Sequence, residues 1–142
     1  MIDTGHWHLA ENVVYNTATT PFGFIYCITC IITNKKYIGK KQCITIKKKQ
    51  PLKGKTKKRH QAVETDWRVY TSSSRELNED IKIHVKNNFK FEILQFCESK
   101  FALAYAEAKL QFDKEVLLRE DYYNGIINLR VSRPGISRVK KT

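Results

Sequence analysis

The residues best suited to chemistry in this chain of 142 residues lie close together near its start. Tyr26 and Tyr37 stand eleven positions apart on what read as the two arms of a hairpin; Gly39 ends the second arm, and Lys40 and Lys41 follow directly. Two phenols beside two ammonium groups are an odd way to build a core and a reasonable way to hold a phosphate. Strand tyrosines also occur simply as amphipathic residues with their hydroxyls at a sheet rim, so the pair decides nothing alone.

A second candidate lies far downstream. In the segment from Ser99 to Glu120 there is no Gly or Pro, and Leu103, Glu107, Leu110, Lys114 and Leu117 recur at helical spacings on one face. Glu107 therefore interrupts a mostly apolar stripe, and an inward carboxylate is costly unless it is paired or binds a cation. Either it bonds to a lysine or tyrosine at the stripe's edge, or it ligates a hard cation such as Mg²⁺, with waters and substrate phosphate completing the shell. Asp113, Glu115 and Glu120 read as surface charges.

The elements that must position these groups follow from pattern. Gly23 to Gln42, GFIYCITCIITNKKYIGKKQ, is aromatic and β-branched on either side of the polar turn Asn34-Lys35-Lys36. Ser73 with Glu76 makes a capping box, and Leu77, Ile81 and Val85 give a one-faced helix to about Lys86. Phe89 to Cys97 alternates as a third strand. Between them, Lys47 to His60 holds eight Lys/Arg and no acid, broken by Pro51 and Gly54, and reads as a phosphate-seeking loop within an insertion over 44–64. Residues 1–20 form an N-terminal arm against the domain or a partner, residues 21–130 the domain, and residues 131–142 a basic tail.

Composition agrees. The length suits one domain with one core, and 42% hydrophobic residues with 6 Gly and 3 Pro is a folded balance. A net charge of +12 points to a polyanionic partner. No stretch is long and apolar enough for a membrane span, and no basic start followed by an apolar run marks a secretory signal, so a cytoplasmic setting is expected. Cys27 and Cys30 form a CxxC, but residues three apart on a strand face opposite ways, and no second pair follows at metal-ligand spacing. They read, with Cys43 and Cys97, as small core residues, with zinc the alternative.

Gly23-Phe24-Ile25-Tyr26, Tyr37-Ile38-Gly39, the run Trp67, Tyr70, Ser73-Ser74, Leu77, then Asn88-Phe89, Ile93-Leu94 and Tyr123-Asn124 together resemble the GIY-YIG endonuclease family over residues 22–128, with the phage-borne members most similar. The first motif departs only in carrying Phe24 before Ile25-Tyr26. The resemblance implies an α+β fold, a small three-stranded antiparallel sheet flanked by helices, and metal-dependent hydrolysis of a DNA phosphodiester. It implies Glu107 holding one Mg²⁺ or Mn²⁺, and Tyr26 and Tyr37 flanking the phosphate, with Lys40 favouring the phenolate.

The family's arginine on a helix after the second tyrosine is missing; Lys47 takes its position, with Arg59 or Arg68 as alternative guanidinium donors and His60 as counterpart to a family histidine. A lysine lacks the planar fork of arginine. Lys41, Lys47, Lys48, Lys57, Lys58 and His60 are the expected substrate-binding set, with Asn124 beside the site more as brace than participant. Double-stranded DNA is the expected partner, with a homo-oligomer possible and a host-cytoplasmic setting if phage-encoded. With no separate DNA-reading domain, recognition would fall to the basic loop, the termini or a second copy. The competing reading is a non-catalytic nucleic-acid-binding module, which needs neither Glu107 nor the tyrosine pair; RNA as the polymer stays open.

Overall fold

A computed structural model describes residues 2–15, 17–128 and 132–133. The expected basic tail over 131–142 lies, apart from residues 132 and 133, outside them. Among the described residues the strands and α-helices follow in order: β1 (His8–Leu9), β2 (Gly23–Cys30), β3 (Lys36–Gln42), β4 (Ile44–Lys49), β5 (Arg59–Glu64), α1 (Arg75–His84), β6 (Phe89–Cys97) and α2 (Lys100–Asp113).

The main sheet runs β1-β6-β2-β3. Its β6-β2-β3 part is antiparallel, and β1 adds a two-residue parallel edge through His8 opposite Glu92 and Leu9 opposite Ile93. The sheet is thus four-stranded and mixed, which corrects the expected three antiparallel strands. Two residues of pairing leave no alternation to read, so the edge strand is invisible to periodicity.

Strand β2 is central and buried on both faces, as its near-continuous run of aromatic and β-branched residues requires. Phe24, Tyr26, Ile28 and Cys30 enter a cluster with Trp7, Trp67, Leu77 and Phe91. Ile25 and Cys27 enter another with Ile38, Leu103 and Val116. Cys27 and Cys30 thus face opposite ways, and all four cysteines are buried free thiols. Trp7 is 1% exposed and donates from Nε1 to the Trp67 carbonyl at 2.6 Å, so the N-terminal segment packs behind Tyr26.

Local chemistry sets the element ends. β2 stops at Cys30, leaving Ile31 and Ile32 exposed in a turn that Asn34 closes at φ +61°. Ser74, not Ser73, caps α1 by accepting from the Leu77 amide, and Glu76 pairs with Lys35 instead of closing a capping box. Ser99 caps α2 likewise. That helix is shorter than expected: it ends at Asp113, and Glu115 takes a left-handed conformation before a 3-10 turn at Val116–Leu118. The turn lets Val116 swing into the core at 0% exposed. The segment expected as a loop is a two-stranded ribbon, β4 with β5, and only residues 50–58 are irregular.

Candidate active site

The free edge of β3 is where the two faces of the sheet meet, and it is only partly covered. Near its start the chain at 121–124 runs alongside: the Lys36 amide donates to the Asp121 carbonyl at 2.9 Å and the Tyr123 amide to the Lys36 carbonyl at 2.6 Å. Asn124 then mimics one more strand residue. Its Oδ1 accepts from the Ile38 amide at 3.0 Å and its Nδ2 donates to the Ile38 carbonyl at 2.8 Å. Gln111 of α2 donates to the same carbonyl at 2.9 Å. Just beyond, at Gly39 and Lys40, the edge opens into a cavity of about 320 Å³, lined among others by Tyr26, Tyr37, Lys40, Tyr70, Ser73 and Glu107.

The phenols reach it from one face. Tyr26 stands opposite Gly39 on β3, and a Cβ at Gly39 would lie 2.5 Å from the Tyr26 hydroxyl. Only glycine lets that hydroxyl pass over the strand to the edge. Between Ile25 and Tyr26 the pairing with β6 slips by one residue, a bulge that re-aims the Tyr26 side chain. The Tyr26 and Tyr37 rings lie 6.2 Å apart at 33°. The Tyr70 ring lies edge-on to Tyr26 with centroids 6.2 Å apart, and Ser73 lines the cavity beside Tyr37.

Lys40 and Glu107 reach it from the other face, where α2 packs. Glu107 lies beside Lys40 two residues past Ile38 on the β3 edge, with its Oε1 3.8 Å from Lys40 Nζ. Of the two readings of the inward acid, the pairing with a lysine is the one seen, and Glu107 also borders the open polar cavity.

Burial dominates the protonation states. It raises Tyr26 well above the usual phenol range, and the neighbouring Tyr37, Tyr70 and Glu107 push the same way. Tyr37 is also raised, first by burial, but the Ser73 hydroxyl opposes this by favouring the anion. Glu107 is raised by burial against the lowering effect of Lys40. The Lys40 ammonium sits at the Glu107 carboxylate, and among the described residues no lysine offsets the rise at either phenol.

The other expected residues lie elsewhere. Lys41 pairs with Asp66 at 2.9 Å and covers the Tyr70 ring at 4.0 Å. Lys47, Lys48, Arg59 and His60 are exposed on the ribbon, and Lys57 and Lys58 precede β5, none of them lining the cavity. Arg59 donates from Nε to the Gln50 carbonyl, while Arg68 is held by Glu64 at 2.6 Å and stacks on Trp67. Among the described residues the cavity lining has a lysine and no guanidinium. Asn124 is buried and spends its amide on Ile38, so it braces the edge. Sequence reasoning missed Tyr70 and Ser73 as lining residues beside the two phenols; their presence in the resembling run is the one signal that marks them.

One carboxylate is a fitting donor set for Mg²⁺ or Mn²⁺, which take few protein ligands and keep waters and phosphate oxygens. Glu107 is raised by burial and open to the cavity, so a cation there would relieve a real cost. Among the described residues no group of three or more His, Cys, Asp or Glu forms a closed metal site, and no helix is long and apolar enough to cross a membrane.

Searches of the curated proteins and of the solved structures gave no match. A family model described as "Putative endonuclease segE, GIY-YIG domain" matches residues 7–127, from Trp7 in the core behind Tyr26 to the segment that closes the β3 edge. With most of its length under that match and its two tyrosines and glutamate around one cavity, the chain belongs to the segE GIY-YIG domain family.

Proposed function

We propose that this chain is an endonuclease that hydrolyses phosphodiester bonds in double-stranded DNA, with a divalent ion held at Glu107. The observation that carries this reading is the convergence of Tyr26, Tyr37, Lys40 and Glu107 on a single cavity, from opposite faces of the sheet. A binding surface alone has no use for a buried carboxylate and two buried phenols at one opening. The bound ion, Mg²⁺ or Mn²⁺, would supply Lewis-acid charge neutralisation at the phosphate and lower the pKa of a coordinated water.

The chain's own groups divide the remaining work. Glu107 presents the carboxylate, and Lys40 Nζ, 3.8 Å from it, sets a positive charge within reach of a phosphate oxygen. Tyr26, with every cause raising it, stays a neutral phenol and positions by hydrogen bonding. Tyr37 can take the proton of the attacking water only as its phenolate, formed by first losing the phenolic proton to solvent at the cavity; because the Ser73 hydroxyl opposes its rise, Tyr37 is nearer that state than Tyr26. Among the described lining residues Lys40 is the cation, a point charge without the bidentate fork of an arginine.

The test is supercoiled plasmid incubated with the protein in Mg²⁺, in Mn²⁺, in chelator, and with Glu107→Ala. Cutting that needs the metal and the carboxylate is expected. Intact plasmid under every metal would leave a non-catalytic binding module as the better reading, and cutting that survives Glu107→Ala would remove Glu107 from the site.

A further inference from the structure

The ribbon β4–β5 takes no part in the cavity and has no core of its own. From Ile46 outward every residue of β4 is exposed, and so is every residue of β5 except Val63. A lone two-stranded ribbon is marginal in water, and this one also sets like charges face to face: Lys49 pairs directly with Arg59, with no acid from Lys47 to His60 to balance them. Such an element costs stability in the free protein, and a polyanion laid against it returns that stability.

Register decides which side chains share a face. Lys47 lies opposite Gln61 and Lys49 opposite Arg59, so these four side chains share one face. The opposite face is tied to the domain at its root: Ile44 packs on the core, and Glu64 accepts from Trp67 Nε1 at 3.0 Å and Arg68 Nη1 at 2.6 Å. The face of Lys47 and Lys49 carries three cations and an amide, the side-chain types that donate to guanine and adenine edges, whereas the other exposed positions carry Ile46, Ala62, Lys48 and His60.

Size decides which groove. Two strands about 5 Å apart with side chains fit a major groove about 12 Å wide but not a minor groove of about 6 Å. We propose that this face, Lys47, Lys49, Arg59 and Gln61, enters the major groove of B-form DNA and gives the chain its sequence preference, while the lysines of the tip at 53–58 rest on the flanking phosphates. The inference rests on duplex DNA being the substrate. It assigns to the ribbon the reading role for which the described residues offer no separate domain.

Binding to a labelled duplex, followed by fluorescence anisotropy in chelator, separates this inference from the nuclease reading. Lys47→Gln with Lys49→Gln should weaken binding roughly tenfold or more and lower the salt slope by about 1 for each phosphate that is no longer neutralised. The charge-matched pair Lys82→Gln with Lys100→Gln, on the helices, should change it far less. Methyl green, which blocks the major groove, should displace the protein, and netropsin, which fills the minor groove, should not. Gln61→Ala should flatten the preference shown by sequences that the wild type enriches from a random pool. Equal weakening by both charge pairs, displacement by netropsin alone, no enriched sequence, or tighter binding to A-form RNA duplex would each overturn the ribbon's role. Wild-type protein that binds in this way but never cuts would overturn the nuclease reading and leave the ribbon's role standing.

Discussion

Replacing Gly39 by alanine tests the geometry of the site with one methyl group. The added Cβ would lie 2.5 Å from the Tyr26 hydroxyl, 2.7 Å from its Cζ and 2.9 Å from Tyr37 Cε2, so both rings would have to withdraw by about 1 Å to reach normal contact near 3.5–4.0 Å. Tyr26 cannot retreat inward, because Trp7 and Phe24 already pack against it with ring centroids at 5.0 and 6.2 Å. Overpacking of this kind costs about 1–3 kcal/mol, and a shift of about 1 Å in reacting groups costs on the order of 100-fold in rate. Urea unfolding should show a lower midpoint at constant slope. Single-turnover plasmid cleavage at saturating protein should slow by about two orders of magnitude, with duplex binding in chelator retained. Gly125→Ala is the control: its Cβ would meet nothing within 4 Å, so stability should change by less than about 0.5 kcal/mol. A Gly39→Ala protein that cuts at the wild-type rate would refute the claim that the phenols must sit where they do.

Two further outcomes follow from buried polar groups. Asn124→Ala removes the acceptor of the Ile38 amide while Gln111 still serves the carbonyl, so it should cost about 2–3 kcal/mol in chemical unfolding and slow cleavage, whereas Gln111→Ala should cost nearer 1 kcal/mol. His6 is lowered from 6.5 to about 4, by burial first and then by the charge of Lys86, so the unfolded chain takes up a proton between those values and the folded chain does not. Stability is then full above pH 6.5 and falls as pH drops toward 4, by on the order of 1–2 kcal/mol after discounting for partial exposure. His6→Leu should flatten that part of the pH–stability curve.

The hairpin and the inward acid are legible in the sequence because each breaks or keeps a period. Tyr26 and Tyr37 sit in segments with clear strand character, and Glu107 interrupts a helical stripe whose Leu103 is 2% exposed. The ribbon reads as a loop because lysines have little strand propensity and a ribbon exposed on both faces has no buried side to impose alternation. Tyr70 and Ser73 reach the phenols from irregular chain between Trp67–Val69 and α1, and no local pattern marks which residue of a turn will face a distant strand. The partner of Lys40 is hidden for a related reason. Proximity in sequence to Tyr37 suggests the phenol, but alternation along β3 turns Lys40 to the face where α2 brings Glu107.

The proposed chemistry depends on Tyr37 and Glu107 serving one reaction at one opening, and a double-substitution cycle measures that dependence. Single-turnover cleavage would be compared for Tyr37→Phe, Glu107→Gln and the two combined, with duplex binding checked in chelator. Groups that act as a unit lose their whole effect when either is removed, so the combined protein should be no slower than the worse single one. Losses that multiply, each substitution costing its full factor in the presence of the other, would mean the two residues work independently, and the site drawn around the β3 edge would be wrong.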